Sequence, residues 1–357
     1  MTRTIPARSA LGILAALAIA CGYDSTSPGA YGNPPVVPPA DTTPTATTSR
    51  LAGLWTSSGS DPALFRLASE QLAGTRDVVP ATTVVTPSAP LFTLNSIAFD
   101  DAGTLWVASQ DDSVLLSFPA SRLDTTRFSV AEHVITPIDE SLSAPSGIAF
   151  DRKHNLWVAN NANGTVVRYD SLQLVAGGAQ VPAVTLSQLG HPTGLAFDAS
   201  GALWISDDRG NRLFEFGAAK LVVSGQPSPD ILISNLAGAL NVPSGIAFDA
   251  DGTLWVANLG RQNVVAFSPA QLVTGGAVAP AIVLSPAADA VTLPTGLAFD
   301  ASGALWVVSG DGRLAKFDRS SLGASAQPVA SATLRVPAHT LFWSLALWPK
   351  VRALPIN

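Results

Sequence analysis

Short apolar runs, separated by polar turns, recur along the chain from about residue 94 to residue 347. The clearest copy runs from Pro145 to Asp151 (PSGIAFD) and continues from Asn155 to Asn160 (NLWVAN). Short runs rich in Val, Ile, Phe and Trp, bounded by Gly, Pro, Asn or Asp, are typical of β-strands. We therefore expect each copy to begin with two strands that are joined by a tight turn.

The unit repeats with a nearly constant period. Its Leu-Trp pair recurs at residues 54, 105, 156, 203, 254 and 305, so successive copies lie 51, 51, 47, 51 and 51 residues apart. Each unit reads as four short strands, which in one copy are 147–150, 156–160, 165–169 and a last strand near 182–186. The strands are apolar on both faces, as in sheets that are covered on each side. Six such repeats predict the blades of a β-propeller.

The two ends of the repeat region complement each other. The first copy begins at Leu54-Trp55, in its second strand, and the chain ends with Leu341 to Leu347, which matches a first strand. Pairing these segments would close the ring and cover the free sheet edges. The sequence predicts an all-β fold, a six-bladed β-propeller of four-stranded blades over residues 50–357, closed by pairing of the C-terminal strand with the first blade.

The turn between the first two strands of each unit has a constant spacing. An aspartate precedes a glycine by three positions at Asp100, Asp198, Asp249 and Asp300, as a hairpin with a left-handed glycine requires. His154 occupies the glycine position of one unit, and His is among the residues that tolerate positive φ. We expect these aspartates and the six Leu-Trp tryptophans to be structural.

The start of the chain has the pattern of an export signal. Two arginines precede an apolar run from Leu11 to Ala20, about half the ~20 residues that a membrane span needs. The run ends at Cys21, which resembles the lipobox of bacterial lipoproteins, although Ala18 stands where that motif usually has Leu. We expect a signal peptide at residues 1–20. The resemblance implies a lipid on Cys21 and, with Gly22 rather than Asp after it, an outer-membrane location; ordinary secretion is the alternative.

Residues 21–49 are rich in Pro, Thr, Ser and Gly. Proline removes a backbone donor and fixes φ, so such a stretch resists both helix and sheet. We expect a semi-extended tether between the lipidated Cys21 and the propeller. A mucin-like or partner-binding proline segment is the alternative.

Composition excludes several classes of function. The chain has 357 residues with 47% hydrophobic and 13% charged residues, a formal net charge of -6 and one cysteine. Net negative charge argues against nucleic-acid binding, which normally needs a basic face. One cysteine excludes a disulfide framework and any multi-cysteine metal site.

The repeated pattern P-x-G-(I/L)-A-F-D-x-x-G-x-L-W-V resembles the NHL repeat and its gluconolactonase-like relatives. That resemblance implies a propeller, and in the calcium-dependent lactonases it implies Asn and Asp ligands at the x of P-x-G. These positions hold Asn95, Ser146, Thr193, Ser244, Thr295 and Trp343. Because an acidic set is missing there, no cofactor is predicted and calcium is unsupported. Streptogramin-lyase-type propellers use a His with acidic residues, but the four histidines here are scattered along the chain: His133, His154, His191 and His339.

Residues that break the repeat are the candidates for function. Loops between the second and third strands share one rim with the entries to the first strands, and there the sequence varies. The ligand-binding candidates on this rim are Asn95, Asp111, Asn160, Asn161, Asp207, Asp208, Asn258 and Arg261. Polar groups around a concave mouth suit a protein, peptide or glycan ligand. We expect a non-enzymatic binding module; a metal-dependent hydrolase or lyase with a divergent site, and a spacer without a ligand, are the alternatives.

Overall fold

The computed structural model describes residues 51–59, 62–85, 93–287, 290–336 and 341–349. The predicted signal peptide, Cys21 and the tether lie outside the described residues, as does His339. Over the described ranges the chain forms six small sheets, each built on four antiparallel strands. The chain is a six-bladed β-propeller, as its repeats predict.

Each blade contributes four strands, from the innermost at the axis to the outermost. They are, in blade 1, β28 (Phe342–Trp348), β1 (Gly53–Ser58), β2 (Ala63–Ala68) and β4 (Thr82–Val85); in blade 2, β5 (Leu94–Phe99), β6 (Leu105–Ser109), β7 (Val114–Phe118) and β9 (His133–Pro137); in blade 3, β10 (Pro145–Phe150), β11 (Leu156–Asn160), β12 (Thr165–Tyr169) and β14 (Val184–Leu186); in blade 4, β15 (Pro192–Phe197), β16 (Leu203–Asp207), β17 (Arg212–Phe216) and β18 (Ile231–Asn235); in blade 5, β19 (Pro243–Phe248), β20 (Leu254–Asn258), β21 (Asn263–Phe267) and β23 (Ile282–Leu284); and in blade 6, β24 (Pro294–Phe299), β25 (Leu305–Ser309), β26 (Arg313–Phe317) and β27 (Ala332–Arg335).

The connection between third and fourth strands adds a contact that the repeat does not predict. In each blade this connection pairs in parallel with the outermost strand of the preceding blade, either as a short strand or as a single bridge. The short strands are β3 (Gly74–Asp77), β8 (Arg127–Phe128), β13 (Gly178–Gln180) and β22 (Gly276–Val278), and the bridges are Leu186↔Gly225 and Leu284↔Ala326. All six outer edges are therefore covered, which removes the edge-to-edge pairing hazard of exposed strands.

Short helices lie in the same connections. They are α1 (Ser171–Ala176), α2 (Pro269–Thr274) and 3-10 turns at Ser69–Gln71, Ala120–Arg122, Ala218–Lys220 and Arg319–Ser321, with a fifth 3-10 turn at Leu259–Arg261 on the opposite face. No helix within the described ranges is long and apolar enough to span a bilayer.

The predicted ring closure is confirmed. The C-terminal β28 pairs antiparallel with β1, and Ala346 faces Trp55 in the same register that joins Ala149 to Trp157 in blade 3. The last strand of the chain is thus the innermost strand of the first blade, and both ends of the propeller are held in one sheet.

A belt of hydrogen bonds links neighbouring blades next to the axis. At every junction a serine or threonine hydroxyl bonds the backbone of the adjoining first strand. The six bonds join Ser96 Oγ to Ile148 N (3.2 Å), Ser146 Oγ to Pro192 O (3.0 Å), Ser206 Oγ to Ser244 O (2.6 Å), Ser244 Oγ to Thr295 O (2.9 Å), Thr295 Oγ1 to Phe342 O (2.8 Å) and Ser57 Oγ to Asn95 O (3.1 Å).

The glycine of P-x-G is needed because the first strands approach one another closely. A Cβ added to Gly147 would lie 2.1 Å from the carbonyl oxygen of Thr193, and one added to Gly194 would lie 2.4 Å from that of Ser244. The requirement is for space between backbones, since neither glycine has a positive φ.

The turn aspartates and the tryptophans are structural, as predicted. Asp151 Oδ1 accepts the N–H groups of the second and fourth residues after it, and its Oδ2 accepts the indole N–H of Trp157 at 3.0 Å. The same set of bonds recurs at Asp198, Asp249 and Asp300. His154 has φ 61°, the left-handed conformation that glycine adopts in the other turns. Trp157 then packs edge-on against Phe197 of the next blade, with ring centroids 6.1 Å apart, so the core lies between blades.

Candidate functional site

One hydrogen bond defines the mouth of the ring in all six blades. The first residue after the second strand donates its N–H to the carbonyl of a residue just before the first strand. The pairs are Gly59–Leu341, Gln110–Thr93, Asn161–Ala144, Asp208–His191, Leu259–Val242 and Gly310–Leu293. These pairs, together with the x residue of P-x-G, therefore occupy equivalent places around the mouth.

The mouth has a polar half and an apolar half. Of the nine such positions in blades 2, 3 and 4, eight have polar side chains and the ninth is Ala144; the eight are Thr93, Asn95, Gln110, Ser146, Asn161, His191, Thr193 and Asp208. Of the nine in blades 5, 6 and 1, seven are apolar or glycine and only the x residues Ser244 and Thr295 are polar; the seven are Val242, Leu259, Leu293, Gly310, Leu341, Trp343 and Gly59. Because the backbone bonds are the same in every blade, this division comes from the side chains alone.

Asn161 is the centre of the polar half. Its Nδ2 donates to Thr193 Oγ1 at 3.1 Å and to Asp208 Oδ2 at 3.3 Å, and its carbonyl lies 3.1 Å from His191 Nδ1. Asp208 Oδ1 is buried and has no hydrogen-bond partner within the described part of the chain. The structure thus brings together two of the predicted site residues, Asn161 and Asp208, across the junction of blades 3 and 4.

Blade 2 extends the polar half. Asn95 is half-buried and donates through Nδ2 to Gln110 Oε1 at 2.7 Å. Asp111 is exposed, and its Oδ2 accepts the Thr93 hydroxyl at 2.7 Å. Both predicted residues therefore lie at the mouth, with their side chains already held by neighbours.

The apolar half was missed by the sequence reasoning, which looked for polar groups. Leu293 and Leu341 are 40% and 39% exposed, and the half-buried Trp343 stands at the x position, where blades 3 to 6 have serine or threonine. The Trp343 indole packs against Gly59, where an added Cβ would lie 1.9 Å from Nε1. The signal that could have revealed this half is the departure of Trp343 from the pattern of small x residues.

Three predicted residues lie beneath the rim rather than on its surface. Asn160, Asp207 and Asn258 each end a second strand and are 0–1% exposed. Asn160 accepts the N–H of Ser143 (3.2 Å) and donates to Ser141 O (2.8 Å), and Asn258 makes the corresponding bonds in blade 5. These side chains hold the incoming loop against the strand end, so they position the rim.

Asp207 holds the incoming loop of blade 4 in the same way, but with a charged side chain. Its Oδ1 accepts the N–H groups of His191 (3.1 Å) and Gly210 (2.9 Å), and its Oδ2 lies 2.8 Å from Arg212 Nε. The ion pair and the two backbone bonds satisfy the buried carboxylate, as a buried charge requires. The last predicted residue, Arg261, is exposed and donates to Gly238 O at 3.0 Å, outside the polar half.

The residues present do not fit the calcium site that the resemblance implies. At the x positions Ser146, Ser244 and Thr295 use their hydroxyls to bond the next blade, and none of the six residues is acidic. Calcium takes 6 to 8 oxygen ligands, usually with several carboxylates. Within the described ranges, no three His, Cys, Asp or Glu side chains come together as metal ligands.

No family model matches this sequence, and no curated protein matches it. Two solved structures with TM-scores above 0.5 share its fold. A chain of the nidogen/laminin complex has 14% identity and a TM-score of 0.56, covering 82% of this chain and 96% of that one. A protein of unknown function from Bacteroides caccae has 13% identity and a TM-score of 0.53, covering 80% and 98%. A streptogramin B lyase has 14% identity and a TM-score of 0.48, covering 71% and 72%. Similarity at this identity concerns the fold alone.

Proposed function

We propose that this chain is a lipid-anchored envelope protein whose propeller binds a ligand at its mouth without catalysing a reaction. The observation that carries the proposal is the division of the mouth into a polar half around Asn161 and Asp208 and an apolar half around Trp343. The side chains of Asn161, Asp208 and Trp343 take no part in the serine and threonine belt that, with the parallel outer strands, links all six blades.

A ligand with both polar groups and an apolar surface suits this mouth. Amide and carboxylate groups in the polar half offer donors and acceptors, and an indole beside two leucines offers a surface for a sugar face or an apolar side chain. We infer that the ligand is a glycan, a peptide or a loop of a partner protein.

Binding can be tested with glycan and peptide libraries presented to the propeller. A ligand of the mouth should lose at least about tenfold in affinity with Trp343→Ala, since buried aromatic anchors carry most of the energy of an interface. Asn161→Ala should also weaken it. Asp251→Ala, on the opposite face, is the control and should bind normally. Ligands that are insensitive to both mouth variants would contradict the proposal.

The anchoring part of the proposal depends on Cys21. Lipid on this residue would place the protein in the outer membrane of a bacterial envelope, with residues 21–49 as the tether. The intact mass of protein extracted from membranes tests this, with Cys21→Ser as the control. A mature chain that begins with unmodified Cys21 would contradict it.

Metal content distinguishes binding from the alternative of a metal-dependent hydrolase or lyase. Mass spectrometry of the purified protein, with the melting temperature before and after chelation, is the measurement. We expect no stoichiometric metal and no change in the melt. One tightly held metal per chain would favour the enzyme instead.

A further inference from the structure

A cavity of about 260 Å³ lies between blades 5 and 6, on the face opposite the mouth. The first-to-second-strand turns of both blades and the third-to-fourth-strand connection of blade 6 surround it. Its polar lining includes Asp249, Asp251 and Arg319, and its apolar lining includes Ile282, Phe299 and Leu322. It is therefore separate from the proposed binding site.

This cavity lacks a charged side chain that four other blades have opposite their Leu-Trp tryptophan. In each blade one residue of the third strand faces the Leu-Trp tryptophan across the ladder. These residues are Arg66, Ser117, Arg168, Glu215, Ala266 and Lys316 for blades 1 to 6. Blade 5 has alanine, so its third strand supplies no charged side chain beside Trp255.

In blade 6 the third strand supplies a lysine beside the Leu-Trp tryptophan. Lys316 Nζ lies 3.0 Å from Asp300 Oδ2 and 5.5 Å from the centroid of the Trp306 ring. Asp300 also accepts the Trp306 indole N–H at 3.1 Å. The lysine therefore pairs with the turn aspartate while its chain covers the tryptophan.

Blade 5 has the same aspartate and tryptophan without the lysine. Asp249 Oδ2 accepts the Trp255 indole N–H at 2.8 Å, and no cation of the described residues pairs with it. The other acid of the lining, Asp251, is paired with Arg319 at 2.8 Å. Of the three charged residues of the lining, Asp249 is therefore the one without an ion-pair partner; its carboxylate accepts three N–H groups, from the backbone of Asp251 and Thr253 and from the Trp255 indole.

We propose that this cavity binds a primary ammonium group on an alkyl chain, as presented by a lysine side chain of a partner. The ammonium would pair with Asp249, and the methylenes would lie against Ile282 and Leu322. A lysine side chain has five heavy atoms beyond Cα. At the ~30 Å³ that a water molecule occupies in the liquid, they fill about 150 Å³, so the cavity can contain them.

Titration of the full chain with Nα-acetyl-lysine methylamide tests the proposal. The neutral Nα-acetyl-norleucine methylamide is the matched control. The readout is the indole N–H signal of each tryptophan in nuclear magnetic resonance spectra, assigned with Trp255→Phe and Trp306→Phe. We expect the lysine probe to shift the Trp255 signal saturably and to leave Trp306 unchanged, and the norleucine probe to have no effect on Trp255. A charge-assisted bond contributes enough for affinity to fall about tenfold or more in Asp249→Asn.

Two further variants keep the test decisive if Asp249→Asn disturbs its turn. Lys316→Ala, which lies outside the lining of the cavity, is the control and should leave the shift of Trp255 unchanged. Ala266→Lys should supply the cation from within the chain and abolish the shift of Trp255. Equal shifts with both probes, no saturable shift of Trp255, or a shift of Trp255 that persists in Ala266→Lys would each overturn the proposal.

Discussion

Replacing Glu215 with glutamine should stabilise the propeller above pH 7 and leave its stability near pH 4 almost unchanged. Glu215 lies on β17, between Trp204 and Ile231 in the ladder, and is 7% exposed. Burial, together with the smaller effects of the Asp230 and Asp198 carboxylates, raises the pKa of Glu215 to about 7, although the nearby Lys220 lowers it slightly. The folded protein therefore holds this proton more tightly than the unfolded chain does.

The size of the effect follows from the difference between the two pKa values. The ordinary value is 4.5 and the value in the fold is about 7, a difference of about 2.5 units. At about 1.4 kcal/mol per unit, the carboxyl contributes about 3 kcal/mol that is present below pH 4.5 and lost as the pH rises through 7. Glutamine keeps the shape of the side chain but has no proton to lose.

Urea unfolding of residues 48–357, measured between pH 4 and pH 8.5, is the assay. Every other group titrates in both proteins, so the difference in unfolding free energy between Glu215→Gln and the parent isolates this carboxyl. We expect the difference to grow by about 3 kcal/mol across the range. Glu70→Gln, at an exposed position of blade 1, is the matched control for the loss of a carboxyl outside the buried ladder.

A constant difference for Glu215→Gln would refute the reasoning, because it would mean that burial does not shift this carboxyl. A difference that grows in the opposite direction would refute it as well, since it would mean that the charged form is favoured in the fold. A change in the urea dependence of the unfolding free energy would point instead to an altered unfolded or native state.

Three other predictions concern the ring itself. Deleting residues 339–357 removes β28 and should abolish the cooperative melt seen by circular dichroism, whereas a melt near the full-length temperature would contradict the closure. Gly147→Ala should lower the unfolding free energy by at least about 2 kcal/mol in urea, because its Cβ would overlap the Thr193 carbonyl. Asn160→Ala should lower the unfolding free energy by about 1 to 3 kcal/mol in the same assay, because it leaves buried backbone groups of the incoming loop unpaired. Asn161 is partly exposed, so Asn161→Ala should lower it by less than about 1 kcal/mol. Equal losses for the two variants would contradict the assigned roles.

The repeat made most of the fold predictable. A fixed spacing of Asp, Gly and Leu-Trp marks one hairpin per blade, and its six copies set the number of blades before any packing is considered. Closure followed from the same alignment, because a first strand was missing at one end and present at the other. The six sheets of the structure confirm the number of blades, and the pairing of β28 with β1 confirms the closure.

The outer parallel strands could not be predicted in this way. β8 has two residues and β13 has three, and each pairs with a strand of another blade. Contacts this short leave no periodic pattern in the sequence, since their hydrogen bonds come from the backbone and fit many side chains. Their positions become apparent only once the ring brings one blade against the next.

Positions that differ between the repeats identified only part of the site at the mouth. Asn160 and Asn161 are adjacent and chemically identical, yet the first is buried and bonds the loop whereas the second reaches the Asp208 carboxylate at the rim. Successive side chains point to opposite sides at the end of a strand, and this alternation decides which of the two asparagines faces the mouth. The residue type alone does not indicate which one it is. Variation at Asn160 is limited to side chains that can hold a loop, such as Asp207 in the next blade. The side chain of Asn161 makes no bond that holds the loop, so it and the side chains of its equivalents Gln110 and Asp208 can change to suit a ligand at little cost to the fold. The equivalent in blade 1 is an exception, because a Cβ on Gly59 would overlap the Trp343 indole.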